Sequence, residues 1–174
     1  MAYEQYHLQV VFLSNLLSLL IYVTGILIIF NVGWIFLGIY ILYIIILEIR
    51  LLKFHCPNCY YYGKVCAFGK GLVSSWFFKK GDPKLFACKS FGFKDLIPDL
   101  LVFIIPAITA IVLLILDFQW YILLALLILI FLNFTGNAYI RGKLACKNCR
   151  QAELGCPALE YFKPAETSRN SGDN

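Results

Sequence analysis

Charge is scarce in this sequence and unevenly placed. Only 14% of its 174 residues are charged, against 61% that are hydrophobic. A soluble domain carries roughly 25% charged residues, and a chain this short has no interior large enough to hide so much apolar surface. A soluble globular domain is therefore excluded, as are disordered and collagen-like chains. Lysine and arginine are absent from 1–49 and from 96–140. The first apolar stretch thus has no basic region before it. It is also too long for a signal peptide and has no small-residue cleavage site after it, so it is expected to remain as a mature helix. There are two histidines, His7 and His55, too few for the usual haem ligation of a membrane cytochrome b. No phosphate-binding loop, G-x-S-x-G or H-E-x-x-H occurs, so no enzyme motif is legible.

What fills the chain is apolar sequence in long runs. A spanning helix needs about 20 such residues. Four stretches qualify, at about Leu8–Phe30, Trp34–Phe54, Leu96–Leu116 and Trp120–Ile140. Short turns at Asn31-Val32-Gly33 and Asp117-Phe118-Gln119 pair them into two helical hairpins. The expected fold is an all-α integral membrane protein with four transmembrane helices. Nine of the fifteen basic residues fall between Arg50 and Lys94 and six between Arg141 and Arg169. Positive charge favours the cytoplasmic side. The two turns should then face outward, with the middle segment, the tail and both termini at the cytoplasmic face of a cell membrane. The net charge of +5 follows from this pattern and implies no nucleic-acid partner.

All seven cysteines fall in the same two basic segments. Cytosolic thiols stay reduced, so patterned cysteines there favour metal binding or catalysis over disulfides. Cys56-Pro57-Asn58-Cys59 is followed after six residues by Cys66. Cys146-Lys147-Asn148-Cys149 is followed after six residues by Cys156. The shared C-x-N-C-x6-C spacing at an offset of 90 residues, with Lys53 and Lys143 aligned, predicts a duplicated unit of hairpin plus cysteine hook. Parallel repeats are related by an axis along the membrane normal, which would bring the hooks together. The units are 1–66 and 96–162, joined by an interfacial loop over 67–95 and followed by a disordered tail over 163–174.

Thiolates suit zinc or iron–sulfur clusters, and zinc usually takes four ligands. Six sulfurs can satisfy two ions if two sulfurs bridge. The doubled C-x2-C-x6-C spacing, best seen from Ala145 to Pro157, resembles the fungal Zn2Cys6 binuclear cluster over about 22 residues. The resemblance implies Cys56, Cys59, Cys66, Cys146, Cys149 and Cys156 as ligands of two zinc ions. In that family a short loop joins the halves; here 79 residues intervene between Cys66 and Cys146. The stretches Tyr60–Val65 and Arg150–Gly155 are not basic stripes, so DNA binding does not carry over. Adding His55 and Cys88 gives eight ligands for two separate zinc sites, but neither has a repeat counterpart. The ferredoxin run C-x2-C-x2-C-x3-C-P is absent. A cluster shared between the hooks, passing electrons to a partner or quinone, stays open, as does a dithiol redox pair.

Function is expected to be that of a scaffold, assembly or regulatory subunit of a membrane complex, with membrane lipid and a membrane or cytoplasmic protein as partners. The rivals are an iron–sulfur electron-transfer subunit, a thiol redox protein and a small transporter. The aromatic and basic mixture in 67–95 suits the headgroup region, and Tyr60, Tyr61 and Tyr62 read as part of the same belt. Glu48, Arg50 and Asp99 fall near the cytoplasmic helix ends, where they can pair or snorkel. Ser14, Asn15, Ser18, Asn133 and Asn137 suit hydrogen bonding between helices. Pro106 predicts a kink.

Overall fold

The computed structural model describes residues 3–82 and 93–153, and the described residues are helical with no strand. Helix α1 spans Leu8–Phe30 and α2 spans Trp34–Arg50, continuing as a π-helical turn over Leu51–His55 and a 3-10 turn over Cys56–Asn58. A short helix α3, Lys70–Phe77, lies within the segment expected to be a loop. Helix α4 spans Phe93–Leu116. Helix α5 spans Trp120–Phe131 and continues in π-helical form over Leu132–Ala145 and as a 3-10 turn over Cys146–Asn148. The brief α6 is Arg150–Glu153. Four helices are long and apolar enough to cross a membrane: Leu8–Phe30, Trp34–Asn58, Ile97–Leu116 and Trp120–Asn148. At 1.5 Å per residue α1 is about 34 Å long, enough for a hydrocarbon core of about 30 Å.

Helix α1 sits at the centre. Its spanning window is 44% buried, against 17% for each of the other three. Its inner stripe, Ser14, Leu17, Ile21, Thr24, Gly25 and Ile28, recurs at helical spacing. One side packs on Ala110 of α4 and Ile122, Leu126 and Leu129 of α5. The other side, through Ile29, meets Leu37, Tyr40 and Ile44 of α2 and Val102 of α4. Large apolar side chains stand outward: Ile35 is 77% exposed and Ile115 79%. Such a surface suits lipid and is rare on soluble monomers.

The turns opposite the hooks are tied together. Asn31 caps α1 by donating to Leu27 O at 2.8 Å, and Tyr121 Oη donates to Asn31 Oδ1 at 2.6 Å. Gly33 enters α2 with φ of 143°, a conformation L side chains rarely adopt. Helix α4 continues through Pro106. Proline has no N–H to offer the carbonyl four residues back, which is that of Val102. Tyr40 Oη supplies the missing donor at 2.9 Å. A neighbouring helix thus satisfies the backbone group that the proline frees. The polar side chains expected to bond between helices mostly bond within them. Asn133 and Asn137 donate to Leu129 O and Asn133 O, and Ser18 donates to Ser14 O. Asn15 and Ser18 also reach beyond their helix: Asn15 donates to Phe68 O at 3.2 Å, and Ser18 Oγ accepts from Arg141 Nη2 at 2.9 Å.

Helix α3 docks on the first hook through buried small residues. Ser74, fully buried, donates to Leu52 O at 3.0 Å. Gly71 O accepts from Gly63 N–H at 3.1 Å. A Cβ on Gly71 would lie 2.2 Å from Tyr61 O and 2.9 Å from Lys64 O, both backbone atoms. Gly71→Ala is therefore expected to push α3 off the hook. Overpacking of this kind costs about 1–3 kcal/mol, to be seen as faster amide exchange at residues 63–74 than in the parent protein.

Candidate functional site

The two hooks adopt the same backbone turn. Each begins where a π-helical segment ends, at His55 (φ −105°, ψ −49°) and Ala145 (φ −91°, ψ −63°). Each then makes a 3-10 turn closed by Cys59 N–H to Cys56 O at 3.3 Å and by Cys149 N–H to Cys146 O at 3.2 Å. Each leaves in extended conformation, at Cys59 (φ −86°, ψ 150°) and Cys149 (φ −84°, ψ 122°). A 3-10 turn suits C-x-x-C because side chains at i and i+3 eclipse.

The segment before α1 joins the hooks. Tyr3 N–H donates to Asn148 O at 3.0 Å, and Tyr3 forms a parallel bridge with Cys149 in the second hook. Three residues on, Tyr6 N–H donates to Val65 O of the first hook at 3.1 Å, while Tyr6 Oη donates to Ala145 O of the second at 2.6 Å. Tyr61 Oη donates to Tyr3 O at 2.6 Å and accepts from Arg150 N–H at 3.0 Å. Tyr60 N–H donates to Gln151 Oε1 at 2.7 Å. The rings pack edge-on or tilted, with centroids 5.6 Å apart for Tyr3–Tyr6, 5.5 Å for Tyr6–Tyr61 and 5.2 Å for Tyr60–Tyr61.

Around this knot of Tyr6, Tyr61, Ala67 and Ala145 pack Cys59 and Cys66 of the first hook and Cys149 of the second. Burial raises the pKa of both phenols, helped at Tyr6 by nearby Cys149 and Tyr61. Both therefore stay neutral and keep their donor protons near pH 7. Cys56 lies within electrostatic reach of Cys66 and Cys59. Gly71 N–H donates to Cys66 Sγ at 3.4 Å. Cys56, Cys59, Cys66, Cys146 and Cys149 carry thiols rather than disulfides. Cys88, Cys156 and the tail from 163 lie outside the described residues. His55 lies within electrostatic reach of Asp99. Among the described residues, no three or more His, Cys, Asp or Glu side chains are gathered closely enough to hold a metal ion.

Sequence reasoning misplaced two features. Tyr61, expected in an interfacial belt, is 2% exposed at the centre of the junction. Arg141, taken only as a topological marker, lies inside a helix long and apolar enough to cross a membrane and donates from Nη2 to Ser18 Oγ at 2.9 Å. A polar group beneath the first hook went unrecognised as a unit. Glu48 accepts from Tyr22 Oη at 2.7 Å and from Lys70 Nζ at 2.5 Å. Its only signal was one carboxylate in an apolar run, the kind of residue that usually has a partner.

Comparison with protein-family models, with curated proteins and with solved structures finds no match.

Proposed function

We propose that this chain is a small multipass membrane protein whose two hooks form one metal–thiolate centre, zinc foremost, at the cytoplasmic face, and that it serves as a scaffold or assembly subunit of a membrane complex. The observation that carries the reading is the Tyr3–Tyr6 segment, which bonds to both hooks and leaves Cys59, Cys66 and Cys149 around one tyrosine knot. The shared turn of the hooks supports a duplicated hairpin unit. The N–H donated to Cys66 suits a thiolate, since outer-shell donors tune metal-bound sulfur. Five of the six proposed ligands belong to the described residues, and they do not by themselves close a site. Cys156 would complete the set of six, with two sulfurs bridging. The metal would lock the two hairpins together and fix the surface a partner meets. Both termini and the hooks face the cytoplasm in this reading, following the basic residues.

Elemental analysis of protein purified in detergent without oxygen tests it. Two zinc ions per chain and no visible absorbance are expected. Iron with equal acid-labile sulfide would overturn zinc in favour of an electron-transfer subunit. Neither metal would overturn the metal centre and leave the hooks to thiol redox chemistry.

A further inference from the structure

The polar group beneath the first hook floors a groove of about 430 Å³. Lys70, Glu48 and Tyr22 form the floor, with Asn15 and Ser18 beside them. Phe12, Leu16 and Leu19 of α1 form the wall and are 66%, 38% and 55% exposed. Glu48 lies 14 residues beyond Trp34, about 21 Å along the helix. In a hydrocarbon core of about 30 Å it would sit roughly 9 Å below the surface on the hook side.

The hydrogen-bonding capacity left over is cationic. Both Glu48 oxygens already accept. An ammonium has three donors, and Lys70 directs one of them at Glu48. Arg141 stands behind Ser18, over the Phe68 ring at 5.2 Å from guanidinium carbon to centroid, and its buried Nε makes no hydrogen bond among the described residues. Asp99 does not line the groove, but it lies within electrostatic reach of Arg50, Arg141 and Lys70. Two carboxylates, Glu48 and Asp99, are thus set against three cations, Lys70, Arg141 and Arg50, and the cation that lines the groove beside its apolar wall is Lys70.

We propose that this groove holds a single anionic phospholipid, its phosphate accepting from Lys70 and an acyl chain lying along Phe12, Leu16 and Leu19. A lone inorganic anion would leave the apolar wall idle, and a neutral hydrocarbon would leave the Lys70 donors unmet. Basic pockets between membrane helices on the cytoplasmic side suit such headgroups. The proposal rests on the chain crossing a membrane and is independent of what the cysteines bind.

Native mass spectrometry of the full chain released from detergent micelles, titrated with phosphatidylglycerol or with phosphatidylcholine of the same acyl chains, tests it. One phosphatidylglycerol is expected to be retained in preference. Lys70→Gln should weaken it about fivefold, the effect of one basic residue near an anionic surface. Leu16→Trp fills the wall without touching the ion pair and should also lower occupancy, which guards against a Lys70 variant that merely misfolds. Lys64→Gln, on a lysine outside the groove, should change nothing. Equal retention of the two lipids would overturn the proposal. So would equal losses in Lys64→Gln and Lys70→Gln, which would mean diffuse surface charge. Displacement by water-soluble glycerol phosphate would likewise overturn it, since the wall would then contribute nothing.

Discussion

Cys59→Ser and Cys149→Ser should each strip the chain of all its bound metal, and to the same extent. The two residues belong to different hooks, 90 positions apart in sequence, yet both pack on the Tyr6–Tyr61 knot. In a centre with bridging sulfurs each ion depends on ligands from both hooks, so removing one thiolate removes the geometry that holds both ions. Structural zinc in small peptides is worth roughly 10–16 kcal/mol, far more than any hydrogen bond in the junction. Its loss should therefore loosen the whole hook end, while the four helices, held by Leu17, Ile21 and Leu129 and their neighbours, stay associated. Ions per chain after gel filtration is the measurement. A loss of half the metal in each variant would instead mean two independent sites, one per hook, and would sink the shared centre.

Tyr61 should be the most costly single side chain to remove from the junction. It is 2% exposed, touches the rings of Tyr6 and Tyr60, and its hydroxyl joins Tyr3 O to Arg150 N–H. Tyr61→Ala leaves a cavity the size of an aromatic ring, a change that costs about 3–5 kcal/mol in well-packed cores. Tyr61→Phe keeps the ring but removes the hydroxyl partner of a half-buried carbonyl and a half-buried N–H, two hydrogen bonds together worth about 1–3 kcal/mol. Alkylation of Cys59 and Cys149 in metal-free protein would report the opening. Since about 1.4 kcal/mol is tenfold, Tyr61→Phe should speed modification roughly tenfold and Tyr61→Ala at least a hundredfold. Rates equal to the parent protein in both variants would show that the tyrosine knot does not hold the hooks together.

The four long apolar helices were legible because their signal is local. A run such as Ile41 to Leu47 admits few other readings, and the Asn31-Val32-Gly33 turn is where the observed α1 ends and α2 begins. The hooks were legible as spacing, since C-x-N-C repeated after 90 residues is a property of the string. Less legible was the way they are held. Tyr3 and Tyr6 look like unremarkable residues ahead of an apolar helix, and their partners at Asn148 and Ala145 lie more than a hundred residues away. Helix α3 was missed because eight residues bury too few side chains to leave a periodic trace. Its stability comes from Ser74 and Gly71 docking on the first hook. The pairing of Glu48 was anticipated, but its partner was not. Lys70 reaches it from the start of α3, a segment whose fold the sequence does not announce.

The contact between Tyr6 and Ala145 spans 139 positions. Ribosomal synthesis runs from the first of these residues to the last, so the opening segment waits, unpaired on one side, until the fourth helix has been made and placed. Closure of the knot thus has to wait until all four long helices have been made. A chain truncated before Ala145 would leave the Tyr6 hydroxyl without its acceptor. The first residues made are in this way among the last to be fixed.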